Sequence, residues 1–360
     1  MKNYIKTAKN IVLNRDKPVS LIHFITNICN ARCPHCFIDF DNQDSQREKM
    51  NLEDIDKLTR NMGPELLNVN ITGGEPFYSP DIEEICKLYI KNTTINSIFF
   101  STHGGPKKKI ESFLKLIRSN PHITFIFSIS VDHIGDKHSD YRKVKNLFES
   151  AMETYDLLKR SESNVKVVIS ITVSEFNCGD IDYIFDELVN KYKVDEITAN
   201  IVRDEGVYKI PEKTKRAVLI GYQKLIERIT EHNQNSTVKN YNLKTKIYNK
   251  MMQYKDDVMH REIAKTYLNP NFSLPCYAGG GLLGVIYPNG DVYPCEILEN
   301  KKMGNLYDYE MNIQKLWKDN ESLRDWIVSS KCNCTYECAW SYNILASKKH
   351  YPGLILSNFK

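Results

Sequence analysis

The 360-residue sequence contains no apolar run close to the roughly 20 residues that a membrane-spanning helix requires, which excludes a transmembrane helix. Its opening, MKNYIKTAKNIVLNRDKP, carries positive charge but lacks the apolar stretch of a secretory signal. No internal repeat and no low-complexity tract interrupts the chain. The formal net charge is only +4, with no basic stripe of the kind that grips nucleic acid. The run Lys107-Lys108-Lys109 reads as a solvated helix face. These absences point to a cytoplasmic protein with neither membrane nor nucleic acid as partner. What is present is an ordinary globular balance, 41% hydrophobic and 26% charged, sufficient for a large buried core, and ten cysteines. A reducing cytoplasm disfavours structural disulfides, so clustered cysteines there read as metal ligands or catalytic thiols.

The length suits one large α/β unit with a smaller appendage. Strand patterns fall at Ser20–Thr26, Leu66–Thr72, Ser97–Ser101, Thr124–Ser130, Lys166–Val173 and Glu196–Val202. Helix patterns fall between them at Leu52–Met62, Pro80–Lys91, Lys107–Ser119, Lys145–Arg160 and Asp180–Tyr192, with Pro80 suited to a first turn. Six strands alternating with helices predict a parallel sheet that right-handed crossovers curl into a partial (βα)6 TIM-like barrel. In such barrels the chemistry sits on the loops after the strands. Helical stretches at Pro211–His232 and Leu243–Tyr267 carry no chemical motif and read as a connector. From Pro270 onward glycine, proline and cysteine become dense and hairpin signals replace helices. The predicted organisation is a core over residues 1–235, a helical connector over 236–270 and a small cysteine-rich domain over 271–360.

After the first strand comes Cys29-Asn-Ala-Arg-Cys33-Pro-His-Cys36. Three thiolates within eight residues can converge on one metal centre. A 4Fe–4S cluster normally takes four cysteines, and none lies nearby until Cys86, itself on the apolar face of its helix. Three ligands leave one iron open to a small molecule bearing an amine and a carboxylate, as S-adenosylmethionine (SAM) does. A zinc site with His35 or His23 as fourth ligand is the alternative. The CxxxCxxC pattern resembles the radical SAM superfamily, and the resemblance covers the whole chain in outline. It implies that Cys29, Cys33 and Cys36 hold a 4Fe–4S cluster, that a flavodoxin or ferredoxin-type donor supplies an electron, and that SAM is cleaved to a 5′-deoxyadenosyl radical that abstracts hydrogen from a substrate.

The second strand ends in Thr72-Gly73-Gly74-Glu75-Pro76. Paired glycines let a backbone approach a ligand closely, and Glu75 can accept hydrogen bonds from an ammonium. This is similar to the GGE motif of the superfamily, which contacts the SAM amino group. The third strand ends in Ser101-Thr102-His103-Gly104, where related proteins have Thr-Asn-Gly, so His103 receives no SAM contact. The fourth ends in Ser128-Ile-Ser130-Val-Asp132, followed by His138 and Arg142. Ser130 and Asp132 share a face by strand alternation and suit ribose hydroxyls or nearby backbone, while Arg142 suits a carboxylate. The stretch resembles one in radical SAM maturases, with His133 where glycine is usual. The other reading is a capped strand end and a surface arginine.

A second cysteine set comprises Cys276, Cys295, Cys332, Cys334 and Cys338. Pro288-Asn289-Gly290-Asp291 is a hairpin signal that brings Cys276 and Cys295 together. Thirteen residues from Cys276 to Gly290, four more to Cys295, Met303-Gly304-Asn305-Leu306 and the helix around Trp317 resemble SPASM and twitch domains. A full SPASM domain has seven cysteines and two clusters. Five here imply one auxiliary 4Fe–4S cluster held by Cys276, Cys295 and Cys338, with Cys332 and Cys334 competing for the fourth place. A structural zinc is the alternative.

Two further features lie at the rim. Cys178, after the fifth strand, is a candidate hydrogen donor to a substrate radical, or a plain loop cysteine. Arg203-Asp204-Glu205, after the sixth, is a candidate substrate-binding group, or a solvated loop. The resemblance leaves the substrate open: a peptide or protein side chain leads, and a small metabolite such as a sugar, aminocyclitol or tetrapyrrole follows. About twenty residues precede the first strand, so a leader-binding protein, if used, is expected to be a separate partner. A non-catalytic iron–sulfur electron carrier is the reading from another class.

Overall fold

A parallel strand needs neighbours on both edges and cover on both faces. Strand β1 (Ser20–Thr26) meets both demands and is buried along its whole length. The computed structural model describes residues 9–40, 49–203, 209–235, 243–269, 274–298, 300–330 and 334–356. Strands β2 (Asn68–Gly73), β3 (Ser97–Thr102), β4 (Thr124–Ser130), β5 (Val165–Val173) and β6 (Ile197–Ile201) follow β1 in simple parallel succession. This is the partial barrel that the alternation of elements predicts, open beyond β6.

The strands are two-faced. Val69, Ile71, Ile98, Phe100, Phe125, Phe127 and Ile129 are fully buried beneath the outer helices. The alternate residues, among them Asn70, Ser101, Ser128 and Ser130, line a cavity inside the barrel. The period-2 pattern thus separates the layer beneath the helices from the face that lines the cavity, which is polar toward the strand ends and includes Phe99 and Ile126 further back. Phe77, Phe100, Phe113 and Phe127 form one aromatic cluster, with ring centroids 4.9 to 6.0 Å apart for the contacts Phe77 and Phe100 make within it, which fixes β3 and β4 against the helix layer.

The helices are α1 (Leu52–Arg60), α2 (Ile82–Asn92), α3 (Lys107–Ser119), α4 (Asp136–Arg142), α5 (Leu147–Lys159) and α6 (Ile181–Asp186). Asn51 caps α1 by accepting from Asp54 N–H. Helix α2 begins after Pro80, not on it. The segment expected as one helix over 145–160 is preceded by the separate α4; left-handed Lys143 and Asn146 turn the chain between α4 and α5. Two long helices, α7 (Glu212–Asn235) and α8 (Leu243–Leu268), follow β6. Helix α7 packs on α6 and β6, and α8 packs on α7 and on α11 (Glu337–Ala346) near the end of the chain. Among the described residues no helix is long and apolar enough to cross a membrane.

After α8 the chain returns to the first strand. Strand β7 (Leu283–Ile286) pairs parallel with β1, Ser20 opposite Leu283. A turn through Asn289 and left-handed Gly290 leads into β8 (Asp291–Tyr293), and β9 (Gly304–Asn305) completes the sheet. The described strands form one sheet in the order β6-β5-β4-β3-β2-β1-β7-β8-β9. The cysteine-rich segment therefore extends the barrel's own sheet at β1, although sequence composition changes sharply near residue 270. Helices α9 (Ile313–Asp319) and α10 (Glu321–Ser329) flank this extension, and α12 (Tyr351–Leu356) follows α11.

His23 of β1 points into the helix layer, where its Nδ1 lies 2.9 Å from Tyr89 Oη and its Nε2 has no partner. Burial lowers this imidazole from an ordinary 6.5 to about 3. It does not line the cavity, which removes it as an alternative metal ligand. The unfolded imidazole takes up a proton below pH 6.5 while the folded one stays neutral to about pH 3. Stability is therefore full above that window and falls on acidification through it, by about 1.4 kcal/mol per pH unit and proton. Thermal unfolding between pH 7 and 5 should show Tm falling as pH drops, with a shallower slope in His23→Leu; equal slopes would refute the assignment.

Candidate functional site

The cavity inside the barrel has a volume of about 1760 Å³. One end is walled by Cys29, Cys33 and Cys36, and another part of its wall includes Glu296, Tyr336 and Cys338 from the C-terminal region. Both cysteine regions therefore meet one chamber.

The first cysteine loop is held by the loops of the next three strands. Gly74 N–H donates to Thr26 O at 2.8 Å and Glu75 N–H donates to Ile28 O at 2.9 Å. A Cβ on Gly73, at φ +134°, would lie 1.9 Å from Thr26 O, and one on Gly74 would lie 2.3 Å from Ile28 O. These glycines are required by the cysteine loop's own backbone, a closer constraint than the ligand approach expected from sequence. From β3, His103 Nε2 lies 3.0 Å from Asn30 Oδ1. From α4, Arg142 O accepts from Arg32 N–H at 3.0 Å, and His35 stacks on Tyr141 with Nδ1 2.9 Å from its hydroxyl. Tyr141 in turn stacks on Phe176 at 3.9 Å.

Several of the expected site residues already have protein partners in this geometry. Glu75, expected to accept from a ligand ammonium, is fully buried and occupied. Its oxygens accept from Thr102 Oγ1 at 2.8 Å each, from His103 N–H at 2.9 Å and from Phe77 N–H at 3.2 Å. Asp132, expected at ribose hydroxyls, is also fully buried. Its Oδ2 pairs with Arg142 Nη2 at 2.7 Å and Nε at 2.9 Å, and its Oδ1 accepts from Thr172 N–H at 3.2 Å. Arg142 lines the cavity but is not a free carboxylate clamp, because Asp132 already holds it. Ser130 does face the cavity, with Gly73 and Gly74. Cys178 is turned away from it, against Gly221 of α7, which removes the support for a hydrogen-donor role. Arg203 lines the cavity but is paired with Glu296 at 3.1 Å. Asp204, Glu205 and Cys332 lie outside the described residues.

The thiols are poised for a cation. Burial pushes Cys29 up to about 12 and Cys36 up to about 11, and it raises Cys33 against the pull of Arg142. Ala31 N–H donates to Cys29 Sγ at 3.3 Å. In the C-terminal region Cys276, Cys295, Cys334 and Cys338 share an apolar cluster with Phe24, Val285 and Tyr336. Asn343 Nδ2 lies 3.7 Å from Cys276 Sγ, joined there by backbone N–H groups of Ala278 and Gly279. Burial raises Cys295 well above its ordinary value, and the Cys334 and Cys276 thiols add to the effect. Cys338 is raised to about 12 by burial and by Glu296. Thiols raised this far are protonated at neutral pH, a bound metal would draw their protons off, and the N–H groups aimed at sulfur suit a thiolate. Both sets thus fit iron–sulfur ligation. Among the described residues no three His, Cys, Asp or Glu side chains close on a single ion.

Sequence reasoning missed the Arg203–Glu296 pair and the His35–Tyr141–Phe176 stack. Their members are far apart in the chain, and only the aromatic character of the loop ends hinted at the second. For the Asp132–Arg142 pair the expected test is direct. Asp132→Asn leaves a buried guanidinium without its counter-charge and should cost about 3–5 kcal/mol in denaturant unfolding; a loss below about 1 kcal/mol would show the pair to be dispensable.

Comparison with known proteins agrees with the thiol geometry. The radical SAM superfamily model matches residues 24–188, and the SPASM iron–sulfur cluster-binding domain matches residues 276–339. Fe-coproporphyrin III synthase of Methanosarcina barkeri is 26% identical over 189 residues, 51% of this chain and 44% of that protein. The sporulation killing factor maturation protein SkfB of Bacillus subtilis is 22% identical over 174 residues, 48% of this chain and 40% of that one. The matched stretch spans less than half the length of each of these curated relatives. Among solved structures, anSMEcpe with bound AdoMet superimposes with a TM-score of 0.58 at 18% identity, covering 95% of this chain and 96% of that one. SuiB of Streptococcus suis bound to its precursor peptide SuiA gives 0.59 at 18% identity, covering 89% and 70%. These likenesses are of fold. With a cysteine loop at the barrel mouth, a second cysteine set on the same sheet and both family matches falling on those segments, the chain belongs to the radical SAM superfamily and carries a SPASM domain.

Proposed function

We propose that this chain is an enzyme that cleaves SAM reductively and modifies a peptide or protein side chain. The observation that carries the reading is the placement of Cys29, Cys33 and Cys36 on the wall of one large chamber. When bound, the cluster and SAM supply a 5′-deoxyadenosyl radical that takes hydrogen from a substrate. Cys29, Cys33 and Cys36 would hold the first cluster; Cys276, Cys295, Cys334 and Cys338 would hold one auxiliary cluster. SAM would lie along the polar strand ends, against Gly73, Gly74 and Ser130, with the Arg142 guanidinium at the cavity wall. Glu75 and Asp132 act behind that surface, bracing the loops that form it.

The chamber of about 1760 Å³ would hold SAM beside the cluster and still exceeds the roughly 300–1,000 Å³ of an ordinary small-molecule site, which leaves room for a segment of peptide. SkfB is a maturation protein, SuiB is seen bound to its precursor peptide, and anSMEcpe is seen with AdoMet and a peptide. A flavodoxin or ferredoxin-type donor and a separate leader-binding protein belong to the same reading. The match to Fe-coproporphyrin III synthase supports a second one, in which the chamber takes a tetrapyrrole or another small molecule.

Anaerobic reconstitution with iron and sulfide, followed by SAM and dithionite, provides the test. The expected outcome is about eight irons per chain and formation of 5′-deoxyadenosine that Cys33→Ala abolishes. Full iron loading with no SAM binding would instead favour an electron carrier, and zinc in place of iron would refute the reading.

A further inference from the structure

One cation stands where the two cysteine regions meet. Arg203 follows β6, the edge strand of the barrel. Its Nη2 pairs with Glu296 Oε2 at 3.1 Å, and its guanidinium lies 4.9 Å from the Tyr336 ring centroid and 5.6 Å from that of Phe37. Each of these partners sits beside a cysteine in sequence: Phe37 follows Cys36, Glu296 follows Cys295, and Tyr336 lies between Cys334 and Cys338. The Tyr336 hydroxyl donates to Glu296 Oε1 at 2.9 Å, so both carboxylate oxygens are held. Phe37 packs edge-on against Phe24 of β1, and Phe24 stacks on Tyr287 just after β7.

The topology makes this cluster matter. On the β1 side the C-terminal region is joined to the barrel by a strand ladder. On the β6 side the junction is made by packing of α11 on α8 and by side-chain contacts: the Arg203 cluster, and the Glu337 carboxylate, which takes a backbone hydrogen bond from Ile201. A planar guanidinium can pair with a carboxylate in its plane while offering its faces to aromatic rings, and lysine cannot do both.

We propose that Arg203 is a positioning residue that holds the first cysteine loop and the C-terminal cysteine set in fixed relation and sets the charge balance at the C-terminal set. The proposal rests on the two-cluster reading above. Its test is a potentiometric titration of the reconstituted holoenzyme, followed by electron paramagnetic resonance without substrate. A nearby positive charge favours the added electron and a negative one opposes it. Arg203→Gln should move the midpoint of one cluster to more negative potential, and Glu296→Gln should move the same cluster the opposite way. Arg203→Lys keeps the charge and should stay near the parent potential, while loss of the stacked contact alters the magnetic interaction between the two reduced clusters. Unchanged potentials and unchanged interaction in these variants overturn the proposal. If Arg203→Gln does not fold, Glu296→Gln and Arg203→Lys decide it on the same terms. Eight irons with unmoved potentials and an unmoved interaction contradict only the role of Arg203; a chain that takes up only about four irons contradicts the two-cluster reading and this proposal with it.

Discussion

Two backbone hydrogen bonds, from Gly74 to Thr26 and from Glu75 to Ile28, decide where the first cysteine loop leaves the sheet. They require glycine at 73 and 74, because any side chain there would occupy the space of the accepting carbonyls. Once the loop is pinned, the carboxylate of Glu75 is directed sideways into the β3 loop, where the Thr102 hydroxyl and His103 N–H donate to it. His103 then reaches back to Asn30 inside the cysteine loop. The result is a closed circuit of hydrogen bonds among three successive strand ends, with the three thiols on its inner rim. A buried polar group is tolerated where it finds partners, and the Glu75 carboxylate finds them in Thr102, His103 N–H and Phe77 N–H.

The same economy of position runs through the sheet. Apolar residues on one face of β2, β3 and β4 meet the helices, and the other face, with serine, threonine and asparagine beside Phe99 and Ile126, lines the cavity. Strand β1 is the hinge of the design, because it carries the barrel on one edge and the C-terminal hairpin on the other. It also leads directly into the cysteine loop. Displacing β1 would therefore move both cysteine regions at once, and both it and its partner β7 are buried along their whole length.

Much of this was legible in the sequence. Alternation such as Ser128-Ile129-Ser130 identified β4 and its cavity-facing residues, and the spacing of Cys29, Cys33 and Cys36 located the mouth of the barrel. What failed was the direction in which polar groups point. A sequence shows that Glu75 and Asp132 follow strands, but not that Thr102 and Arg142 already satisfy them. It shows Cys178 after β5, but not that Gly221, 43 positions later, lets α7 come close enough to take the thiol out of the chamber. Arg203 and Glu296 are 93 residues apart, and no local pattern joins them. Composition near residue 270 suggested an appended unit, because a hairpin's pairing partner is not written in its own residues.

The elevated thiols have a consequence for how the protein comes to be loaded. Disulfide formation and exchange proceed through the thiolate. Burial pushes Cys29 up to about 12 and Cys36 up to about 11, so both thiols favour the protonated form at neutral pH. A buried, protonated thiol is a poor partner in disulfide exchange, and a metal entering the loop has to draw that proton off before it can be bound.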